Sequence, residues 1–253
     1  MTTRHNAIHC ISKEIVKDAP TIVFLHDSLG CVELWRDFPK RLGNQTQCNV
    51  LVYDRLGYGQ SNPFLKKART KDYLLKEAMF LKTLLKKWHI DKPILFGHSD
   101  GGSIALLFAA LYPNEVSGII TEGSHVFVEE ITLEGIRDAV KLYTETNLKE
   151  KLRRYHGDKT EALFWAWANT WLADDFRSWN MVDQLNNITC DALIIQGLDD
   201  EYGTLNQVNT ILKHSSGEPK SFLPPHVGHT PHKEIPEEVL QKSADFILSL
   251  KRK

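Results

Sequence analysis

The sequence predicts an α/β fold, a mostly parallel central sheet flanked by helices, with a helical segment inserted late in the chain. Three observations lead there. Short apolar runs recur and are unbroken rather than alternating, as strands covered on both faces require. Each run ends in turn residues and gives way to helical periodicity, and this βα alternation calls for parallel strands joined by crossover helices. Over residues 124–187 the strand signal stops, and only helical patterns rich in Trp, Leu and charge remain.

Taken in order, residues 8–16 alternate and read as an antiparallel edge strand. TIVFL (21–25) is the first buried strand and runs into His26-Asp27-Ser28-Leu29-Gly30. VLVY (50–53) runs into Asp54-Arg55-Leu56-Gly57-Tyr58-Gly59. Residues 73–88 place Leu74, Leu75, Ala78, Leu81, Leu84 and Leu85 at helical spacing with lysines opposite. Residues 94–96 form a strand ending at Gly97, and 103–111 a helix apolar almost all round, suited to burial against the sheet. Strands follow at 116–121, 192–196 and 221–223, and a last helix at 239–250. The expected organisation is therefore a core of residues 1–123 and 188–253 with an insertion at 124–187. Four of the six tryptophans (Trp165, Trp167, Trp171, Trp179) lie in that insertion with Phe164 and Phe176. Most of these aromatics are expected to be its own core.

Composition excludes several classes. Of 253 residues, 42% are hydrophobic and 25% charged, an ordinary globular balance. Lys and Arg number 31 against 32 Asp and Glu, without the basic excess a nucleic-acid binder gathers. The cluster Lys66, Lys67, Arg69, Lys71 reads as a solvated loop and helix start. Cys10, Cys31, Cys48 and Cys190 show no C-x-x-C spacing, so neither a disulfide framework nor a zinc site is expected. Arg4 is followed by no apolar run, so no signal peptide is read there, and no run approaches the roughly 20 residues of a membrane helix. The sequons at Asn44 and Asn187 then read as chance. A cytoplasmic protein acting on a small molecule, without membrane or nucleic-acid partners, is the expectation; the oligomeric state is not written in the pattern.

The strongest chemical signal is Gly97-His98-Ser99-Asp100-Gly101-Gly102, between a strand and a helix. A Ser on so sharp a turn needs small neighbours two residues away on each side, and Gly97 and Gly101 supply them. The turn also sets the Ser oxygen at a helix N-terminus, where backbone N–H groups favour developing negative charge. A nucleophilic Ser needs a base and the base an orienting acid. His229, in Val227-Gly228-His229-Thr230-Pro231 before the last helix, is the candidate base. Asp199 and Asp200 both follow the strand 192–196, at a carboxyl end where open α/β sheets place catalytic groups. Spacing alone does not separate the two.

With these segments in place, the chain resembles the α/β-hydrolase family from about residue 21 to 250. The resemblance rests on 26–30, Tyr53-Asp54-Arg55-Leu56-Gly57-Tyr58-Gly59-Gln60-Ser61, the turn at Ser99, the loop Gly197 to Asp200, and Gly228-His229-Thr230-Pro231-His232-Lys233-Glu234. It implies a triad of Ser99, Asp200 and His229, with Asp200 favoured because the acid stands three residues after the Gly. It implies an oxyanion hole from the backbone N–H groups of Ser28 and Asp100, and a helical cap at 124–187 closing over the pocket. Asp27 departs from the family, which more often has Gly there, and a carboxylate beside an oxyanion opposes catalysis. Asp54 and Arg55 read as structural turn residues. His125 either faces the pocket or caps the first inserted helix; with Trp165, Trp167 and Trp171 it completes the candidate substrate-binding residues. The implied reaction is hydrolysis of an ester or thioester of a small to medium apolar acid, with no metal or organic cofactor. The same triad serves C–C bond hydrolysis, acyl transfer to another acceptor and perhydrolysis, and a non-catalytic binding protein is the rival of another class.

Overall fold

The computed structural model describes residues 2–5, 8–14, 16–64 and 69–251. Ile15 in the edge-strand run and Lys66 and Lys67 in the basic cluster lie outside them. Eight strands form one sheet in the order β1-β2-β4-β3-β5-β6-β7-β8: Thr2–His5, Ile8–Lys13, Thr21–Leu25, Asn49–Tyr53, Ile94–His98, Gly118–Glu122, Ala192–Ile195 and Pro219–Phe222, numbered β1 to β8 along the chain. The pairs β1/β2 and β2/β4 are antiparallel and all others parallel.

Period two explains why the central strands read as unbroken apolar runs. Ile22 and Phe24 of β3 stand beside Ile94 and Phe96 of β5, and these face helices α1 (Phe38–Thr46) and α10 (Pro236–Leu250). Val23, Leu25 and Leu95 project the other way, onto α2 (Tyr73–Lys87) and α3 (Asp100–Leu111). Phe24 stacks on Phe96 with ring centroids 5.1 Å apart. Both faces are covered, so neither side of the strand carries polar residues.

Between β6 and β7 the chain forms α4 (Glu130–Glu145), α5 (Leu148–His156), α6 (Thr160–Trp171) and the short α7 (Val182–Leu185), and the one pairing there is an isolated bridge from Phe127 to Asn180. Its aromatics join the larger core: Tyr143 stacks on Phe164 at 3.7 Å, and Phe176 on Trp179 at 5.6 Å. After β7 come α8 (Leu205–His214), β8, and α9 (Pro231–Glu234) before α10. No helix among the described residues is long and apolar enough to cross a membrane.

Boundaries differ from the sequence expectation where local signals were weak. α3 begins at Asp100 rather than 103, because its first turn hangs directly from Ser99: the N–H groups of Gly102 and Ser103 donate to the Ser99 carbonyl at 2.8 and 3.0 Å. β6 runs from Gly118 to Glu122 rather than 116–121, and β8 from Pro219 to Phe222 rather than 221–223. Three helices had no sequence assignment: α1, α8 and the single turn α9. In α1, Pro39 and the run Gly43-Asn44-Gln45 dilute the helical signal, although Pro in the first turn is compatible with a helix. α8 is capped by Thr204, whose hydroxyl accepts from Asn206 N–H at 3.1 Å.

Candidate active site

Ser99 stands between β5 and α3 with φ 54° and ψ −119°, a left-handed conformation that costs energy for a residue with a Cβ. The turn closes only because its neighbours lack side chains. A Cβ on Gly97 would sit 2.2 Å from the Gly101 carbonyl oxygen, and one on Gly101 would sit 2.0 Å from that of Leu25. Ser99 N–H donates to the Glu122 carbonyl at 2.8 Å, which ties the turn to the end of β6.

His229 lies in the loop between β8 and α9, and its imidazole Nδ1–H donates to Asp200 Oδ1 at 2.9 Å. That bond leaves Nε2 as the ring's basic nitrogen. Asp200 Oδ1 also accepts from Tyr202 N–H at 2.8 Å. Burial pushes the Asp200 carboxyl up, but the His229 charge, its hydrogen bond and the Tyr202 N–H outweigh that and hold it below the usual range. Burial likewise pulls His229 down, and the Asp200 carboxylate raises it past its ordinary value. Asp199, largely exposed, faces outward, with Oδ2 3.8 Å from His226 Nδ1. The loop carrying His229 is held at both ends of its peptide: its N–H donates to Glu201 Oε2 at 3.2 Å, and its carbonyl accepts His98 Nε2–H at 2.8 Å. Gly123 (φ 53°) makes room for the ring, because a Cβ there would lie 2.7 Å from His229 Cε1.

The backbone N–H groups of Ser28 and Asp100 have no hydrogen-bond partner among the described residues, and both residues line one cavity of about 200 Å³ with Ser99 and His229. Arg55 spans the two segments that carry them. Its guanidinium Nη2 donates to the Asp27 carbonyl at 2.8 Å and lies 3.5 Å from Asp100 Oδ2, with no exposed surface. Asp100 Oδ1 accepts from Tyr73 OH at 2.9 Å, and Tyr73 in turn accepts Trp171 Nε1–H at 2.9 Å. In the same loop the Leu29 carbonyl accepts His156 Nε2–H at 2.9 Å, while His156 Nδ1 accepts Gly59 N–H. Asp27, the departure from the family pattern, folds its carboxylate back toward Gly30, where a Cβ would meet Oδ1 at 1.7 Å. Arg55, assigned a turn role from sequence, thus has a structural task that reaches both N–H donors.

Beneath the site lies a buried group that no motif announced. Glu122 Oε2 and His232 Nδ1 share a hydrogen bond of 2.7 Å, and His98 packs 5.1 Å from the rings of both His229 and His232. Burial pushes Glu122 up to about 7 and His232 down to about 3. Nothing local in sequence could pair Glu122 with His232, 110 positions apart.

Of the candidate substrate residues, His125, Trp167 and Trp171 line the Ser99 cavity, with Thr132 and Ile136 of α4. Trp165 does not. It lines a separate cavity of about 1080 Å³ with Phe64, Arg69, Ala162 and Phe176. Helix geometry accounts for this: Trp167 and Trp171 are four residues apart on one face of α6, and Trp165 points about 200° away from Trp167. Among the described residues no group of three or more His, Cys, Asp or Glu is placed to hold a metal ion.

A family model described as "alpha/beta hydrolase fold" matches residues 20–187, well over half of the chain. The chain belongs to the α/β-hydrolase family. It is 28% identical over 238 residues to the human serine hydrolase BPHL, covering 89% of this chain and 78% of that one. It is also 28% identical over 209 residues to a 2-hydroxy-6-oxononadienedioate/2-hydroxy-6-oxononatrienedioate hydrolase of Klebsiella pneumoniae, covering 72% and 71%. Among solved structures, one from a study of carboxylesterases of the thaumarchaeon Nitrososphaera gargenis aligns with a TM-score of 0.79 at 19% identity, over 100% of this chain and 98% of the other. The protein is accordingly a hydrolase of this family with a mostly parallel sheet.

Proposed function

We propose that this hydrolase cleaves carboxylic esters through Ser99, His229 and Asp200. The observation that carries the reading is the cavity Ser99 and His229 share: Ser99 on a strained turn, His229 held from behind by Asp200 at 2.9 Å, and two backbone N–H groups without partners among the described residues. In this mechanism Ser99 Oγ attacks the ester carbonyl while His229 Nε2 takes its proton. The N–H groups of Ser28 and Asp100 stabilise the oxyanion, and Arg55 fixes their spacing. Collapse expels the alkoxide, which takes the proton from His229 and leaves as the alcohol. Water, deprotonated by His229, then attacks the acyl-enzyme and releases the acid and Ser99. Asp200 keeps the hydrogen on Nδ1 throughout. Residues 124–187 serve as the cap over a core of 1–123 and 188–253, and Trp167 and Trp171 shape an apolar acyl site.

C–C bond hydrolysis is the second reading, because a relative's name specifies a dioate substrate. The lining counts against a dianionic substrate here. No Lys or Arg stands among its described lining residues, while Glu201 brings a carboxylate; the Asp100 carboxylate is turned to Tyr73 and Arg55. A dicarboxylate would meet like charge, whereas a neutral ester meets none of that cost. The test is kcat/KM on p-nitrophenyl esters of two to eight carbons and on a 2-hydroxy-6-oxo dienoate. Ester turnover lost in Ser99→Ala supports the proposal; turnover of the dienoate alone contradicts it.

A further inference from the structure

The proposed reaction gives His125 no task, yet its ring lies on the cavity wall and is held there. It packs 5.3 Å from Trp171 and 6.0 Å from His229, measured between centroids. Its backbone is held by a reciprocal pair: His125 N–H donates to Ser103 Oγ at 3.0 Å, and that hydroxyl donates to the His125 carbonyl at 2.7 Å. Neighbours also settle its tautomer. Nε2 lies 2.9 Å from the Tyr202 carbonyl oxygen, so Nε2 carries the hydrogen and donates it. Burial, reinforced by the charge of His229, disfavours the protonated ring. The ring is therefore neutral, with a lone pair on Nδ1, and no described residue meets that nitrogen at hydrogen-bond distance.

The donors around it are already committed. Thr132 Oγ1–H donates to the same Tyr202 carbonyl at 2.6 Å, and Trp171 Nε1–H to Tyr73 OH at 2.9 Å. A wall with its donors engaged and one acceptor open favours a substrate that brings a hydrogen-bond donor, and leaves the acceptor unpaired when the substrate lacks one. A charged donor would be drawn instead to the carboxylate of Glu201 on the same lining. The geometry points to His125 as a specificity-determining residue whose Nδ1 accepts a hydrogen bond from a hydroxyl adjacent to the scissile bond, so that hydroxy-substituted esters are the preferred substrates. This rests on the ester-hydrolase proposal above.

The experiment uses two matched pairs, followed by acid release: ethyl lactate against ethyl propionate, with the hydroxyl on the acyl side, and 2-hydroxyethyl butyrate against ethyl butyrate, with it on the alcohol side. The wild-type protein is expected to favour the hydroxy ester of one pair by about five- to tenfold in kcat/KM, the size of one neutral hydrogen bond; the pair that responds identifies the side. In His125→Phe that ratio should fall to near one. In His125→Gln it should recover in part, because the amide can donate to the Tyr202 carbonyl and still offer an oxygen to the substrate. A ratio near one for both pairs in the wild type, or one that survives His125→Phe while all rates fall together, overturns the assignment. Failure to cleave any of the four esters overturns the ester-hydrolase proposal and this one with it.

Discussion

On the floor of the Ser99 cavity, at the carboxyl ends of β3, β5, β6 and β7, the polar groups are tied by hydrogen bonds that reach across the chain. Asp200 holds His229, His98 holds the His229 carbonyl, and Arg55 joins the Asp27 carbonyl to the Asp100 side chain. The roof, from α4 and α6, meets the same cavity with Thr132, Ile136, Trp167 and Trp171, mostly apolar surface. One region fixes the polar groups through hydrogen bonds; the other shapes the volume beside them. Changes to the floor should therefore appear in kcat, and changes to the roof in KM.

The largest effect is expected at the acid. Asp200→Asn keeps the shape but stabilises the wrong His229 tautomer, a change that costs roughly 10⁴-fold in a serine-protease triad. A loss of several hundred-fold or more in kcat/KM is expected, while Asp199→Asn should cost roughly tenfold or less (about 1.4 kcal/mol in the barrier). Circular dichroism on both variants separates this from misfolding. Equal losses would mean only that the loop is fragile, and the reverse ranking would move the acid to Asp199.

Arg55→Met comes next. It removes a charge from a buried group, and breaking such a pair costs about 3 kcal/mol of folding stability. A lower urea midpoint together with a fall in kcat at little-changed KM is the expected pair of results; a change confined to KM would place Arg55 with the roof rather than the floor. On the roof itself, Trp171→Phe keeps a ring but loses the donor to Tyr73 OH. KM should change about three- to tenfold with kcat nearly constant, the scale of one hydrogen bond. Trp165→Ala, on the far side of α6, should leave the ester chain-length profile unchanged.

The smallest effect concerns pH. Catalysis needs neutral His229, whose pKa the Asp200 carboxylate holds above the ordinary 6.5. The acid limb of kcat/KM should therefore have its midpoint above that value, activity rising as pH increases through it. A midpoint below 6.5 would mean that burial, not Asp200, governs the base.

The same contrast explains what the sequence disclosed. The turn at Ser99 was legible because backbone sterics dictate Gly97 and Gly101, and that constraint is local. The His229 and Asp200 loops were legible through their place after strands, but choosing Asp200 over Asp199 needed the family's spacing, because two adjacent carboxylates look alike until one is buried. Arg55, His98, His156 and the Glu122–His232 pair stayed hidden, since their partners are 28 to 131 residues distant. Trp165 was a different failure. Helical periodicity already separates it from Trp167 and Trp171, and counting tryptophans as one group overrode that phase.

Covalent labelling tests the central proposal most directly, because it needs no knowledge of the substrate. A fluorophosphonate should phosphonylate the protein once, at Ser99, as read by mass spectrometry of the peptide containing Gly97-His98-Ser99-Asp100. Labelling should vanish in Ser99→Ala and slow strongly in Asp200→Asn. Labelling at another residue, or labelling that persists in Ser99→Ala, would contradict the assignment of Ser99 as nucleophile.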